Sequence, residues 1–195
     1  NKVEELIKDV ILLDVRNESD FAESHIPGSI FIGLDGRFAP WVGELLEDIK
    51  KPIILLAPEG REEEAITRLS RVGFDNIKGY LKGGIKSWIE LNKKTNSIEN
   101  IKAQNFMSLN SKFDINILDV RSQNEYLNGS VDGSLNIPLI NLTDNLDKFN
   151  CNKRSYIYCK GGYRSMIASS ILSLKGINNI TNIIGGYDSI SLCIK

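Results

Sequence analysis

The chain repeats itself once, at a distance of about a hundred residues. Leu12-Leu13-Asp14-Val15-Arg16 returns as Ile117-Leu118-Asp119-Val120-Arg121, and His25-Ile26-Pro27-Gly28-Ser29 is answered by Ser130-Val131-Asp132-Gly133-Ser134, both pairs 105 positions apart. Gly73-Phe74-Asp75-Asn76-Ile77 is answered by Gly176-Ile177-Asn178-Asn179-Ile180 at a spacing of 103. Solenoid repeats run roughly 20–50 residues, so a period this long marks a duplicated domain. The 195 residues then divide into 1–95 and 97–195, with the polar stretch Asn92-Lys93-Lys94-Thr95-Asn96-Ser97 as the linker.

Within the second half, short β-rich runs alternate with helical patterns. The runs Ile115–Val120, Ser134–Asn136, Ser155–Cys159 and Ile180–Ile184 read as strands; Ser122–Leu127, Leu142–Lys148 and Ser165–Lys175 read as helices. The last of these is apolar at Ile167, Ala168, Ile171, Leu172 and Leu174 and meets Gly176, a C-cap residue. Such alternation predicts an α/β fold in each half, a parallel sheet with helices on both faces and ligands at the carboxyl ends of the strands.

Cys159 stands at one of those ends and opens Cys159-Lys160-Gly161-Gly162-Tyr163-Arg164-Ser165. A cysteine at a strand end is commonly a small buried hydrophobe. Here two glycines let the backbone turn several N–H groups toward one point. A helix start adds its positive dipole end, and Arg164 a permanent cation. These are the surroundings that turn a thiol into a nucleophile and hold an anion attached to it. The run lacks the Gly-Lys-Ser/Thr ending of a nucleotide-binding P-loop. Four residues, Lys160 to Tyr163, separate the cysteine from the arginine. Cysteine phosphatases use a loop one residue longer, so this ring suits a single added sulfur better than a phosphate.

The second half resembles the rhodanese family of sulfurtransferases, through Leu118-Asp119-Val120-Arg121, Glu125-Tyr126, Gly133-Ser134-Leu135-Asn136-Ile137-Pro138, the cysteine loop, Ala168, Leu172 and Gly185-Gly186. The resemblance implies two tandem rhodanese-like domains and a transfer of sulfane sulfur from thiosulfate or a low-molecular-weight persulfide through a Cys159 persulfide. The donor is then a small anion, and the acceptor a thiol, sulfite or cyanide. Lys160, Gly161, Gly162, Tyr163, Arg164 and Ser165 would form the substrate- and persulfide-binding loop. Arg164 would either steady a donor sulfonate or brace the loop through its carbonyls, and Lys160 would stand at the mouth or simply be solvated. Asp119 and Arg121 read as a structural pair tying a loop in place.

The first half keeps the skeleton and loses the nucleophile. Where the second half has Tyr158-Cys159-Lys160-Gly161-Gly162, the first has Leu55-Leu56-Ala57-Pro58-Glu59-Gly60-Arg61, one residue shorter, with Leu56 or Ala57 at the cysteine position and Glu62-Glu63-Glu64 opening the next helix. It reads as a degenerate, cysteine-less domain. Gly36-Arg37-Phe38-Ala39-Pro40-Trp41-Val42-Gly43, Glu59 to Ala65 and Arg68 to Gly73 resemble the middle domain of metallo-β-lactamase–rhodanese fusions, in which a metal domain, often a persulfide dioxygenase, comes first. That implies an upstream metallo-β-lactamase-like partner domain, and a second reading of the pair as a non-catalytic scaffold or sulfur-relay module. A phosphatase- or arsenate-reductase-like enzyme on the same fold is a third. Phe38-Ala39-Pro40-Trp41 is either a core anchor or an interdomain patch.

Composition excludes other classes. With 42% hydrophobic and 25% charged residues the chain has an ordinary globular composition. No apolar run approaches the roughly 18 residues of a membrane span, and no secretory leader is visible. Residues 1–95 carry 14 Lys and Arg against 17 Asp and Glu, and the remainder carries 10 against 8. The mild positive balance of the second half favours small anions, and without a basic cluster no nucleic acid is expected. A single histidine, His25, cannot build a His-rich metal site, so neither metal nor cofactor is expected. Three cysteines, Cys151, Cys159 and Cys193, make no disulfide framework, and a reducing cytoplasm is the expected compartment. Cys151 and Cys193 lack a glycine loop or adjacent arginine and read as packing residues.

Overall fold

Runs of leucine and isoleucine build the centre of the first sheet. β1 (Ile11–Asp14) and β3 (Ile53–Leu56) are buried at every position, as strands of a parallel sheet are when both faces are covered. With β2 (Ile30–Phe31) and β4 (Ile77–Tyr80) they form a four-stranded parallel sheet of order β2-β1-β3-β4. The connecting helices are α1 (Glu18–Glu23), α2 (Phe38–Leu45), α3 (Glu62–Ser70) and α4 (Gly84–Glu90). The computed structural model describes residues 9–110, 115–148 and 153–194, and the chain divides into two units, Asn1–Ser97 and Ile98–Lys195.

The second unit is built the same way. β5 (Glu99–Lys102), β6 (Asn116–Asp119), β7 (Leu135–Asn136), β8 (Ser155–Tyr158) and β9 (Ile180–Ile184) form a parallel sheet of order β5-β9-β8-β6-β7. The helices are α5 (Ala103–Asn110), α6 (Gln123–Leu127), α7 (Tyr163–Leu174) and α8 (Gly186–Ser191). Asp14 lies opposite Leu56 and Asp119 opposite Tyr158. Leu56 is thus the counterpart of Tyr158 and Ala57 that of Cys159, which decides between the two positions open in the sequence. The cores gather around Leu12, Ile54, Leu56 and Trp88 in one unit and Phe106, Tyr156, Tyr158 and Ile183 in the other.

Two local expectations are corrected, and the polar stretch 92–97 is tied back onto the first unit. His25 and Asn96 exchange both backbone hydrogen bonds at 2.9 Å, and the Trp88 indole donates to the Lys94 carbonyl. Leu142–Lys148 is 3₁₀ turn and not α-helix, broken where Asn145 leaves the helical region at φ −126°. The helix expected from Ser165 begins two residues earlier, at Tyr163, because Gly162 takes the left-handed conformation at φ +112° and starts it there. In the first unit, Phe38 is the core anchor of its segment, fully buried beneath the Arg68 guanidinium, while Trp41 is half-buried. Cys151 falls outside the described residues. Cys193 is half-buried and bonds the Ser189 carbonyl. No described helix is long and apolar enough to cross a membrane.

Candidate active site

Cys159 follows the last residue of β8, a strand with neighbours on both sides, and therefore sits at the carboxyl edge where a parallel sheet opens to ligands. The residue is buried, and its Sγ accepts the Gly162 N–H at 3.1 Å. Gly162 carries no side chain to cap α7, so the first-turn N–H groups of Arg164 and Ser165, which have no intrahelical carbonyl to bond, face the same end as the sulfur.

The loop carbonyls are drawn the other way. Those of Cys159 and Lys160 accept the Tyr187 and Asp188 N–H groups at 2.7 and 3.0 Å, from the first turn of α8. A trans peptide sets its N–H opposite its C=O, so the N–H groups of Lys160 and Gly161 turn away from α8. This approach requires glycine at 186: a Cβ there, on a backbone with φ +53°, would overlap the carbonyl oxygens of Cys159 and Lys160. The result is a run of backbone N–H groups, those of Lys160 and Gly161 turned from α8 and that of Gly162 bonded to Sγ, of the kind that makes an anion-binding nest. Lys160 and Gly161 are exposed at its mouth, and Tyr163 is half-buried.

Arg164 reaches across to α6 and, among the described residues, bonds no loop carbonyl. Its guanidinium forms a two-pronged pair with Glu125, both bonds 2.7 Å. Glu125 is the third residue of α6 and also closes a capping box, accepting from the Ser122 N–H at 3.1 Å and hydroxyl at 2.9 Å. Arg164, with these bonds behind it, holds the Glu125 carboxyl down at about 2. Glu125 in turn raises Arg164, and the nearby Cys159 adds to this. Arg164 thus stands in the first turn of α7 as a fixed, largely compensated cation.

The Ser165 hydroxyl is buried, 2.8 Å from the Gly162 carbonyl and 2.7 Å from the Asn182 side-chain oxygen, and Asn182 donates on to Asn100 at 2.8 Å. The side chain thus anchors α7 to β9 and β5 and leaves the backbone N–H at the helix start. Asp119 and Arg121 form a buried pair at 2.7 Å, and Arg121 reaches on to the Gly129 carbonyl at 2.7 Å. The guanidinium also lies over the Tyr187 ring at 4.1 Å and the Tyr158 ring at 5.5 Å. Burial pushes the Tyr158 phenol up to about 12, so it remains protonated.

The equivalent place in the first unit holds no nucleophile. Its buried pair Asp14–Arg16 and the bond from Arg16 to the Ser24 carbonyl repeat Asp119–Arg121 and Gly129. Aligning Ala65 and Leu69 with Ala168 and Leu172 sets Arg61 at the place of Arg164, but with three residues between it and Ala57 instead of four. Arg61 pairs with Asp35 and Glu64, and Glu64 also with Arg68. Gly84, the counterpart of Gly186, has nothing within 4 Å of its Cβ position.

Among the described residues no group of His, Cys, Asp and Glu side chains is arranged to hold a metal ion. Sequence reasoning missed Glu125, Asn182 and the N–H groups of Tyr187 and Asp188. Only the Ser122-x-x-Glu125 capping box had a local signal, and that signal concerns the helix, not Arg164.

The family model for rhodanese-like domains matches residues 1–91 and again 102–193. YqhL of Bacillus subtilis is 35% identical over 71 residues, covering 36% of this chain and 56% of that protein. YrkF, a putative sulfur carrier protein of the same organism, is 31% identical over 106 residues, 54% of this chain and 55% of that protein. The chain thus spans little more than half the length of these relatives. The crystal structure of a thiosulfate sulfurtransferase from Pseudomonas aeruginosa is 20% identical, covers 99% of this chain and 41% of that one, and has a TM-score of 0.44.

Proposed function

The chain belongs to the family of rhodanese-like domains, twice over, and from that premise we propose that its second unit is a sulfurtransferase working through a persulfide on Cys159. The observation that carries this reading is the cradle itself: Sγ bonded to the Gly162 N–H, inside a ring of loop and helix-start donors.

In the first half-reaction the Cys159 thiolate attacks the outer sulfur of thiosulfate or of a small persulfide. A Cys159 S–S bond forms, the donor S–S bond breaks, and its electron pair leaves on sulfite or on the thiolate of the donor. The terminal sulfur now carries the negative charge, and the N–H groups of Lys160, Gly161, Gly162, Arg164 and Ser165 stabilise it as oxyanion-hole donors stabilise oxygen. In the second half-reaction cyanide, sulfite or a thiol attacks that terminal sulfur and the Cys159 thiolate departs. Two displacements on one enzyme sulfur give ping-pong kinetics. No cofactor takes part. The first unit, with Ala57 at the nucleophile position, transfers no sulfur.

The chemistry fits a reducing compartment such as the cytoplasm. The fusion-like segments Gly36–Gly43 and Glu59–Ala65 extend the proposal to docking beside a metallo-β-lactamase-like domain, with the first unit as the docking module.

Thiosulfate:cyanide turnover, combined with intact-mass detection of one added sulfur, tests the reading. Wild type forms the adduct and thiocyanate; Cys159→Ser forms neither and keeps its circular dichroism. Thiocyanate production surviving in Cys159→Ser overturns the assignment.

A further inference from the structure

Resting on the sulfurtransfer reading, we infer that Tyr187 is a positioning residue for the Cys159 cradle, acting through its ring from behind the loop. The inference begins with a difference between the two units. In the first, the glycine pair is followed by Ile85; in the second, Tyr187 takes that place. In the second unit the turn beyond the glycines grips the nucleophile loop through Tyr187 N–H to Cys159 carbonyl and Asp188 N–H to Lys160 carbonyl. In the first unit, among the described residues, no bond joins the corresponding turn to the carbonyls of Ala57 or Pro58, and space opens around Gly84.

A backbone N–H aims well only if its own residue is held. The Tyr187 ring is held on several sides. Arg121 lies over it at 4.1 Å, itself fixed by three bonds to Asp119 and one to the Gly129 carbonyl. Tyr158, fully buried, stacks near it at 6.2 Å between ring centroids. The phenol oxygen occupies the space a side chain at Gly129 would need. The guanidinium–ring contact is of the cation–π kind, and here the cation is largely desolvated, which strengthens it.

Asp119-Arg121 thereby acquires a second function beside tying the 119–129 segment. It fixes a ring, the ring fixes a turn, and the turn holds two peptide planes so that their N–H groups point away from α8. Donors that meet developing charge must be preset, since misalignment of about 1 Å is enough to lose much of their effect.

The test uses the whole chain with Tyr187→Phe, Tyr187→Leu and Arg121→Lys. Two readouts are taken: kcat and KM for thiosulfate, and the rate of Cys159 alkylation by iodoacetamide at fixed pH, which requires no sulfur transfer. Tyr187→Phe keeps the ring and is expected within about twofold of wild type in both. Tyr187→Leu is expected to lose roughly tenfold or more in kcat and to slow alkylation several-fold, with KM nearly unchanged, and Arg121→Lys to follow it in part. A helix-packing role alone would lower the melting temperature of Tyr187→Leu without this kcat-over-KM split. Wild-type rates in Tyr187→Leu, or equal losses in Tyr187→Phe and Tyr187→Leu, overturn the inference. If wild type transfers no sulfur, the alkylation rates still decide it.

Discussion

Replacing Glu125 by Gln isolates the charge of the Arg164 pair. Gln keeps the size of the side chain and can still close the Ser122 capping box. What it removes is the carboxylate that two 2.7 Å bonds hold against Arg164. Lowering a carboxyl from its ordinary 4.5 to about 2 corresponds to at most about 3.5 kcal/mol, at ~1.4 kcal/mol per pH unit. The side chains are 20% and 32% exposed, so solvent screens part of this, and about 1.5–2 kcal/mol is expected at pH 7. For a unit of this size that lowers its melting temperature by roughly 8 °C. A carboxyl held low in the folded state contributes its full stability above its unfolded value and loses it as pH falls. The gap between wild type and Glu125→Gln in urea midpoint should therefore be full above pH 4.5 and shrink steadily toward pH 2. The substitution also leaves the Arg164 cation uncompensated beside the sulfur, so KM for doubly charged thiosulfate should fall about fivefold, equivalent to ~1 kcal/mol of added attraction. No gap at pH 7, or a gap unchanged between pH 5 and pH 3, refutes the reasoning.

Two further outcomes follow from individual contacts. Gly186→Ala pushes a methyl into the Cys159 and Lys160 carbonyls and should reduce kcat at least tenfold, whereas Gly84→Ala, set in open space at φ +59°, should lower stability by about 1 kcal/mol and leave turnover alone; equal kinetics for the two would contradict the proposed backing of the loop. His25 is stacked on Phe21 at 4.1 Å, and burial holds its ring below the usual 6.5; the folded state then refuses a proton that the unfolded chain accepts, so stability is complete above pH 6.5 and falls as pH drops below it. Because the chain has one histidine, urea midpoints between pH 7.5 and 5.5 should slope in wild type and flatten in His25→Gln, and parallel curves would rule the effect out.

The duplication, the parallel sheets and the position of Cys159 were legible because each rests on local pattern: repeated Asp-x-Arg strand ends, buried runs such as Ile53–Leu56, and a glycine loop before an apolar helix. What was not legible depends on pairs far apart in sequence. Glu125 and Arg164 are 39 residues apart, and nothing near either one announces the other. Arg164 alone suggested a free cation; only the fold brings a carboxylate to it. The Ser165 side chain is equally silent in the sequence, since its bond to Asn182, 17 residues on and from a different strand, exists only once the fold has formed. The Leu142–Lys148 segment has helical composition, but Asn145 breaks it, and propensity does not report such kinks.

Comparison of the two units separates what the fold needs from what the chemistry needs. Both keep the buried Asp–Arg pair, its bond to a carbonyl eight residues beyond the arginine, and a glycine pair before the last helix. These features therefore hold a sheet edge together whether or not a sulfur stands on it. Among the described residues, only the second unit has the cysteine, a four-residue span to the arginine, a carboxylate on α6 bonded to that arginine, and a turn bonded to the loop carbonyls. In the first unit Asn17 caps its helix and Asp20, the counterpart of Glu125, bonds Asn17 instead of an arginine, while Arg61 turns to Asp35 and Glu64. The contacts around Cys159 depend on one another, so on the proposed reading a cysteine at Ala57 would restore the atom without the contacts that surround it in the second unit.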